Sequence, residues 1–129
     1  MAQVKVYGLK SSLATLKAGL SDAIHESLME AFALPPEKRF QRFIGLDRDE
    51  LVFPADRSDS YTIVEISVFE GRTKEAKKRL INALFSRVKA RTGLSTEDLE
   101  ITIFESPRAN WGIRGKPGDE LALSYRVDV

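Results

Sequence analysis

A strand-like stretch followed directly by a helix-like stretch constrains the fold of this chain more than any other feature. From Thr62 to Phe69 the side chains alternate with a period of two, which is typical of a β-strand whose two faces lie in different environments. Apolar residues then recur every four positions, which is the spacing of one helix face: Ala76, Leu80, Leu84 and Val88. Alternation returns from Leu99 to Glu105. This order predicts a right-handed βαβ unit.

Three residues mark the ends of the predicted helix. Gly71 permits a tight turn after the strand, because it lacks a Cβ atom. Thr73 has the side chain of a good N-cap, and Gly93 is suited to the left-handed conformation that often ends a helix. The helix is therefore predicted to lie between Thr73 and Gly93.

The same order of elements is predicted earlier in the chain. Alternation around Val4 indicates a strand that begins near residue 2, and Ser11 or Ser12 is expected to cap a following helix. The helix has an apolar stripe: Leu13, Leu16, Leu20, Ile24, Leu28 and Phe32. Pro35-Pro36 stops it, and a second strand is predicted within Arg39–Leu46.

The two halves align with each other. A shift of 60 positions places Val4 on Val64 and Leu20 on Leu80. The simpler interpretation is a tandem duplication of a βαβ unit, with pseudo-repeats 2–47 and 61–106 inside a single domain, 1–129. Chance similarity between two βαβ patterns is the alternative. Either way the fold class is α/β (α+β): a four-stranded mixed sheet with both helices on one face.

Such a sheet has a second face that no helix covers. The prediction places Phe43, Ile63, Phe69 and Phe104 on that face. Because an exposed apolar face favours association, we expect a partner subunit to cover it. Residues 107–129 are predicted to form a hairpin and a last strand, with alternation at Leu123, Tyr125 and Val127, that could pair with a neighbouring subunit.

Composition excludes several classes of function. The net charge is +1, there is no cysteine, and His25 is the only histidine, which we interpret as solvated or structural. Thiolate metal sites and a thiol nucleophile are thus excluded, and we expect no metal and no cofactor. The basic residues of the second helix are interpreted as a solvated face, so no nucleic acid partner is expected. No signal peptide or membrane span is found, which favours a cytoplasmic protein.

Four stretches resemble the tautomerase superfamily, the group of 4-oxalocrotonate tautomerase, malonate semialdehyde decarboxylase and macrophage migration inhibitory factor. They are Ile66–Thr73, Gly93–Glu105, Asn110–Gly115 and, in the first half, Ala31–Gln41. The third is similar to the family's aromatic-Gly-Ile-Gly hairpin with an arginine inserted. The resemblance spans residues 2 to about 120, and it implies two βαβ units per chain and trimers with sites at subunit interfaces.

One departure concerns the residue that carries the family's chemistry. Family enzymes use an amino-terminal proline, exposed by removal of the initiator methionine, as general base or as a cation beside the reacting carbonyl. Ala2 stands at that position here. Its α-amine, if Met1 is removed, has an ordinary pKa of about 8 and accepts a proton when burial or a nearby cation lowers that pKa. With Met1 retained, the amine lies one residue away.

The resemblance also implies residues that bind a substrate. Arg72 aligns with an arginine that binds substrate carboxylate, although an arginine at a helix start is otherwise solvated or paired with a neighbour such as Glu75. Trp111 matches an aromatic wall of the family pocket, or simply packs. Arg114 and Arg39 could add positive charge there, while each alone is more often a surface or interface charge.

These residues lead to two hypotheses from different classes. In the first, the chain is a keto-enol tautomerase or a related enzyme that acts on a small anionic keto or enol carboxylate at an intersubunit pocket. Lys38 stands where the decarboxylase has an acidic residue, which argues against decarboxylase chemistry. In the second, the chain is a non-catalytic trimer that kept the fold and lost the proline-dependent chemistry. Whether the mature protein keeps Met1 distinguishes the two hypotheses.

Overall fold

The structure, a computed structural model, describes residues 1–123 and 126–128. Its main elements follow in chain order: β1 (Ala2–Leu9), α1 (Lys10–Phe32), β2 (Gln41–Leu46), β3 (Thr62–Phe69), α2 (Lys74–Thr92) and β4 (Leu99–Ser106). A short hairpin of β5 (Gly112–Ile113) and β6 (Lys116–Pro117) comes next. Single 3₁₀ turns lie at Arg48–Glu50, Thr96–Asp98, Arg108–Asn110 and Gly118–Glu120.

The sheet has the strand order β2-β1-β3-β4. β1 is parallel to β2 and β3 is parallel to β4, whereas the central pair β1 and β3 is antiparallel. Two βαβ units therefore meet side by side in one mixed sheet, which confirms the predicted fold class. Their origin in a tandem duplication stays a prediction.

Both helices cover the same face of the sheet and share one core with it. Alternate residues of the two central strands point into this core, among them Val4, Val6, Val64 and Ile66, and all of these are at most 1% exposed. The apolar stripes of α1 and α2 pack against them, since Leu20, Ile24, Leu80 and Leu84 are completely buried. The period of two in the strands and of about four in the helices thus sets which side chains are buried.

The ends of the helix in the second βαβ unit lie where the sequence predicts them, whereas the start of the helix in the first unit does not. The Thr73 side chain accepts a hydrogen bond from the Ala76 amide, and Gly93 ends α2 with φ of 75°, as predicted. α1 instead begins directly after Leu9 and has no side-chain cap. The expected cap residue Ser12 donates from Oγ to the carbonyl of Asp59, 2.7 Å away, and so ties the loop before β3 to the helix.

Of the four residues predicted for the uncovered face, one lies on the opposite face and a second is covered. Phe43 pairs in register with the core residue Val6, so it faces the helices, where the Lys17 ammonium lies 5.7 Å from its ring centre. Phe69 follows the core residue Val68 in β3 and so lies on the predicted face, but it is 0% exposed because Trp111 and Arg108 of the segment after β4 pack against its ring. Phe104 is 49% exposed, in agreement with the prediction.

The uncovered face is mixed in character rather than apolar. Ile63 lies on it, half-buried, beside the register pair Lys5 and Glu65. A charged pair next to Ile63 and Phe104 gives this face polar as well as apolar contacts to offer. A face of this kind favours a specific partner over unspecific aggregation.

The edge of the sheet where β3 and β4 begin is closed by a polar network. Asp98 accepts hydrogen bonds from the amide of Ser58, at 2.7 Å, and from its hydroxyl. Tyr61 donates to Glu100, and burial together with this carboxylate raises the pKa of Tyr61 to about 12. The long loop between β2 and β3 is thereby held against the strands.

The predicted last strand is only partly within the described residues. Residues 121–123 and 126–128 do not adopt strand conformation, and Tyr125 lies outside the described part of the chain. In the same described ranges, neither helix has both the length and the apolar character that crossing a membrane requires.

A matched pair of helix ends provides a test of backbone conformation. Gly93 and Ala33 both end helices in the left-handed region, with φ of 75° and 56°, and a Cβ atom at Gly93 would contact nothing. Gly93→Ala should therefore lower the free energy of unfolding by about 1 kcal/mol, and Ala33→Gly should raise it by a similar amount. Urea unfolding at one fixed protein concentration measures both changes. Equal stabilities would show that the two helix ends adopt other conformations in solution.

Candidate active site

Several chain segments meet at one edge of the sheet, which we call the site edge. β1 is antiparallel to β3 with Ala2 opposite Val68, so the start of β1 lies beside the end of β3. The start of β2 and the end of β4 lie at the same edge, because each is parallel to its neighbour. The end of α1 and the start of α2 return there as well, since each helix connects two parallel strands.

Arg72 lies in the turn between β3 and α2 and is 5% exposed. Its Nη1 atom donates to the carbonyl of Phe69 at 3.2 Å, and its guanidinium carbon lies 4.7 Å from the ring centre of Phe32. Burial lowers the pKa of Arg72 to about 10, while the charge of Glu105 opposes that shift. The guanidinium therefore stays charged at neutral pH. Arg72 is a buried cation, not the solvated arginine of a helix start.

Two nitrogens of this guanidinium are left for another partner. Nε and Nη2 of Arg72 are buried, and they have no hydrogen-bond partner within residues 1–123 and 126–128. These two N–H groups point the same way from one edge of a planar group, the geometry that binds both oxygens of a carboxylate. Leaving two such donors unsatisfied is costly, so the edge favours an anion.

The turn that presents Arg72 needs a glycine. Gly71 has φ of 130°, a conformation that residues with a Cβ atom rarely adopt. A Cβ atom there would also lie 3.1 Å from the side chain of Val127, which packs over the turn. The backbone at Gly71 is thus fixed both by its torsion angle and by the chain that covers it.

Aromatic side chains form one wall next to Arg72. The rings of Phe69 and Trp111 meet edge to face, with centres 5.0 Å apart and an angle of 83° between planes. Trp111 is half-buried and its Nε1 atom donates to the hydroxyl of Ser106 at 3.0 Å. This hydrogen bond fixes the indole against the end of β4. The structure therefore brings Trp111 and Arg72 together through Phe69, which contacts both.

A second arginine, Arg108, packs against the ring of Phe69. Its guanidinium carbon is 5.4 Å from the centre of the Phe69 ring. Nε and Nη2 donate to the carbonyl of Gly118 at 3.1 and 2.9 Å, and Nη2 also donates to the carbonyl of Leu121 at 2.9 Å. Arg108 thus binds the chain after the hairpin to the wall and adds positive charge at the site edge.

The amino terminus faces these cations. Burial, and after it the charges of Arg72, Arg108 and Lys38 in that order, together lower the pKa of the Met1 α-amine from 8.0 to about 5. Each cation comes from a different segment: the turn after β3, the 3₁₀ turn after β4, and the loop before β2. Because its pKa lies below 7, the amine is neutral at physiological pH and is able to accept a proton.

The other predicted site residues lie at different places. Ala2 is buried as the first residue of β1, so the amine belongs to Met1 in this structure. Arg39 is exposed and pairs with Asp22 of α1 at 2.7 Å. Arg114 is exposed at the tip of the β5–β6 hairpin, where it has φ of 50°. Neither arginine is among the cations that act on the amine.

His25 is buried and supports the loop that carries Lys38. Its Nε2 atom donates to the carbonyl of Pro36 at 2.8 Å, which agrees with a structural role and contradicts a solvated one. Only one group of side chains in the described part of the chain is arranged as a metal site needs. It consists of the exposed Asp47, Asp49 and Glu50, and Asp47 already pairs with Lys10 at 3.0 Å.

Sequence reasoning missed Arg108, Phe32 and Phe69 as parts of this site. Topology offered a signal for each, because an antiparallel central pair brings the ends of α1, β3 and β4 to the start of β1. Lys38 was noticed only as a departure from the decarboxylase pattern. Its position beside the amine follows from the same topology, since Lys38 precedes β2.

Removing one of the cations should raise the pKa of the amine. In Arg108→Gln the pKa of the α-amine is expected to move from about 5 towards its ordinary 8.0, because a charge that disfavours protonation is lost. Arg114→Gln is the matched control and should leave it unchanged. Competitive acylation at different pH values, followed by mass spectrometry of the amino-terminal peptide, measures the pKa. The same pKa in both variants would show that Arg108 does not act on the amine.

Comparison with known proteins agrees with this architecture. The structure of a malonate semialdehyde decarboxylase superimposes with a TM-score of 0.80 at 21% identity, covering 92% of this chain and 99% of that chain. A fused 4-OT described as a symmetric trimer superimposes with a TM-score of 0.73 at 18% identity, covering 87% of this chain and 91% of that one. At these identities the likeness concerns the fold.

Sequence comparison identifies the family. A probable tautomerase of Ralstonia nicotianae is 38% identical over 55 residues, which is 43% of this chain and 79% of the relative. A probable tautomerase of Bacillus subtilis is 26% identical over 97 residues, covering 71% of this chain and 76% of the relative. A family model described as a tautomerase enzyme matches residues 38–114, more than half of the chain. The chain belongs to the tautomerase family.

Proposed function

We propose that this protein is a tautomerase that interconverts the enol and keto forms of a small carboxylate-bearing substrate. The observation that carries the proposal is a neutral amine beside a buried guanidinium with two unsatisfied donors. Proton transfer between oxygen and carbon requires one group that takes up a proton and returns it at a second position. The amine is such a group, and membership of the family supports an isomerase-like activity.

Arg72 would hold the substrate by its carboxylate. Two parallel N–H···O bonds from Nε and Nη2 fix the plane of the carboxylate and with it the direction of the rest of the molecule. Neither nitrogen is exposed to solvent, so a neighbouring segment moves when the anion enters. Val127 packs on the adjacent Gly71, and the segment that carries it is the one proposed to move.

The remaining groups place the reacting carbons. Trp111, half-buried and packed edge to face on the fully buried Phe69, provides an apolar wall for the conjugated part of an enol acid. Arg108 and Lys38 lower the proton affinity of the amine, and their charge also stabilises the negative charge that develops on the enolate oxygen. Arg39 and Arg114 are proposed to add charge from their exposed positions only where a second subunit brings them close.

We propose that the working form is a homotrimer with the site near subunit boundaries. The uncovered face holds the half-exposed Phe104, and the fused 4-OT described as a symmetric trimer shares the fold. Burying a phenylalanine at an interface contributes about 1.5–3 kcal/mol. A trimer that lacks catalysis is the second candidate, favoured by Ala2 at the position of the family's proline.

Loss of the Arg72 guanidinium should reduce catalysis. Arg72→Gln keeps a planar polar group but removes the charge, so kcat/KM for ketonisation of phenylenolpyruvate or 2-hydroxymuconate is expected to fall about 10- to 100-fold. Arg79→Gln, an exposed arginine of α2, should leave it unchanged. Ultraviolet absorbance follows the reaction. A wild-type rate no higher than that of Arg72→Gln would favour the non-catalytic trimer.

The assembly has a direct test. Sedimentation equilibrium at micromolar concentration should give a mass about three times the 14.5 kDa of the chain. Phe104→Asp places a charge in the proposed interface and should shift the protein towards monomers, whereas Thr102→Asp, on the same face of β4, tests whether any charge has that effect. A wild-type monomer would exclude an intersubunit site.

A further inference from the structure

A carboxylate of this chain lies near the guanidinium of Arg72. Glu105 is opposite Val68 in the register of β3 and β4. It follows Ile101 and Ile103 along the face of β4 that packs against the helices, since alternate residues of a strand share a face. Its negative charge acts on Arg72, yet Nε and Nη2 of Arg72 have no hydrogen-bond partner in residues 1–123 and 126–128. An acceptor and two donors are therefore near each other and not joined.

Glu105 is instead held by Lys77. Nζ of Lys77 donates to Oε1 of Glu105 at 2.7 Å. The two side chains are 30% and 25% exposed, so water screens this ion pair less than a pair on the open surface. Lys77 belongs to the first turn of α2, where the helix dipole disfavours a cation, and the carboxylate of Glu105 compensates for that charge. The ion pair thus ties the side chain of Glu105 to the start of α2.

We propose that Lys77 is a positioning residue: by binding Glu105 it keeps this carboxylate off Arg72 and leaves Nε and Nη2 for the carboxylate of the substrate. This role rests on the proposed function, in which Arg72 is the anion anchor. It adds to that function a residue that sets the affinity for the substrate through another side chain.

Arg72 is the alternative partner of Glu105. Without the ammonium of Lys77, a half-buried carboxylate lacks its cation, while two buried donors of Arg72 remain unsatisfied. Both costs are removed when the side chain of Glu105 turns onto Arg72. A carboxylate carried by the chain has a fixed local concentration, so it competes with a carboxylate that comes from solution. Loss of Lys77 therefore weakens substrate binding even though the anchor itself is unchanged.

Binding of a carboxylate that cannot react tests this role. The probe is 3-phenylpropionate, which has a carboxylate and no enol, and its dissociation constant is measured by the fluorescence of Trp111, the only tryptophan of the chain. In Lys77→Met the dissociation constant should rise about tenfold, the value expected when Glu105 occupies Arg72 in about nine of ten molecules. Lys78→Met, an exposed neighbour in α2, is the matched control and should leave it unchanged.

A second variant separates positioning from a merely structural role. Lys77→Met combined with Glu105→Gln should bind the probe within about twofold of the wild type, because the competing carboxylate has lost its charge. A structural role of Lys77 would not be restored by removal of its partner. With a substrate that turns over, Lys77→Met should raise KM and leave kcat unchanged, since a bound substrate has already displaced Glu105.

Glu105→Gln alone tests the role even when Lys77→Met does not fold. This variant keeps Arg72 and removes the competing charge, so it should bind the probe at least as tightly as the wild type. Binding about tenfold weaker would show that Glu105 supports the anion and would overturn the proposal. A wild type that does not bind the probe overturns it as well, whether or not it ketonises phenylenolpyruvate.

The remaining outcomes separate this role from the proposed function. Weaker binding in Lys77→Met that Glu105→Gln restores supports the role, and it does so even in a protein without ketonisation, where the tautomerase function fails. Equal dissociation constants in Lys77→Met and Lys78→Met, or a loss that Glu105→Gln does not restore, overturn the role. Ketonisation by the same preparation would then leave the proposed function intact.

Discussion

The antiparallel pairing of β1 with β3 is the constraint on which the rest of the site depends. It sets Ala2 opposite Val68, so the amino terminus lies beside the turn that holds Arg72. Had the central strands been parallel, the two ends would lie a full strand apart, about 25 Å for eight residues. The same pairing brings Phe32, Lys38 and Arg108 to this edge. The site is thus a property of topology, assembled from segments that are distant in sequence.

A buried arginine with unsatisfied donors lowers the stability of the fold that contains it. Arg72 receives partial compensation from the carbonyl of Phe69 and from the face of the Phe32 ring. Its two remaining donors are not compensated within the described residues. Proteins usually accept such a cost where function requires it, because a group prepared for an anion is left unsatisfied without one. The opposite edge shows the contrast, since the buried Asp98 there is satisfied by Ser58.

The sequence predicted the elements far better than it predicted the site. The spacings of two and four residues locate both helices and all four strands of the sheet, because burial on one face leaves a local periodic signal. Phe43 was placed on the wrong face, and Phe69 was expected to be uncovered, since periodicity does not identify what covers a face. Arg108 was missed because its contacts are with the carbonyls of Gly118 and Leu121, and backbone acceptors leave no mark in the sequence.

The register of β1 determines where the amine lies. Val4 and Val6 are buried in the core, and a slip of one residue would turn both towards the uncovered face. The strand therefore cannot shift to absorb an added or removed residue at its start. Removal of Met1 would place the α-amine on Ala2, about 3.3 Å further into β1. The amine would then point to the opposite side of the strand. The cations are fixed by other elements, so processing of the amino terminus changes the charge environment of the amine while the remainder of the site stays in place.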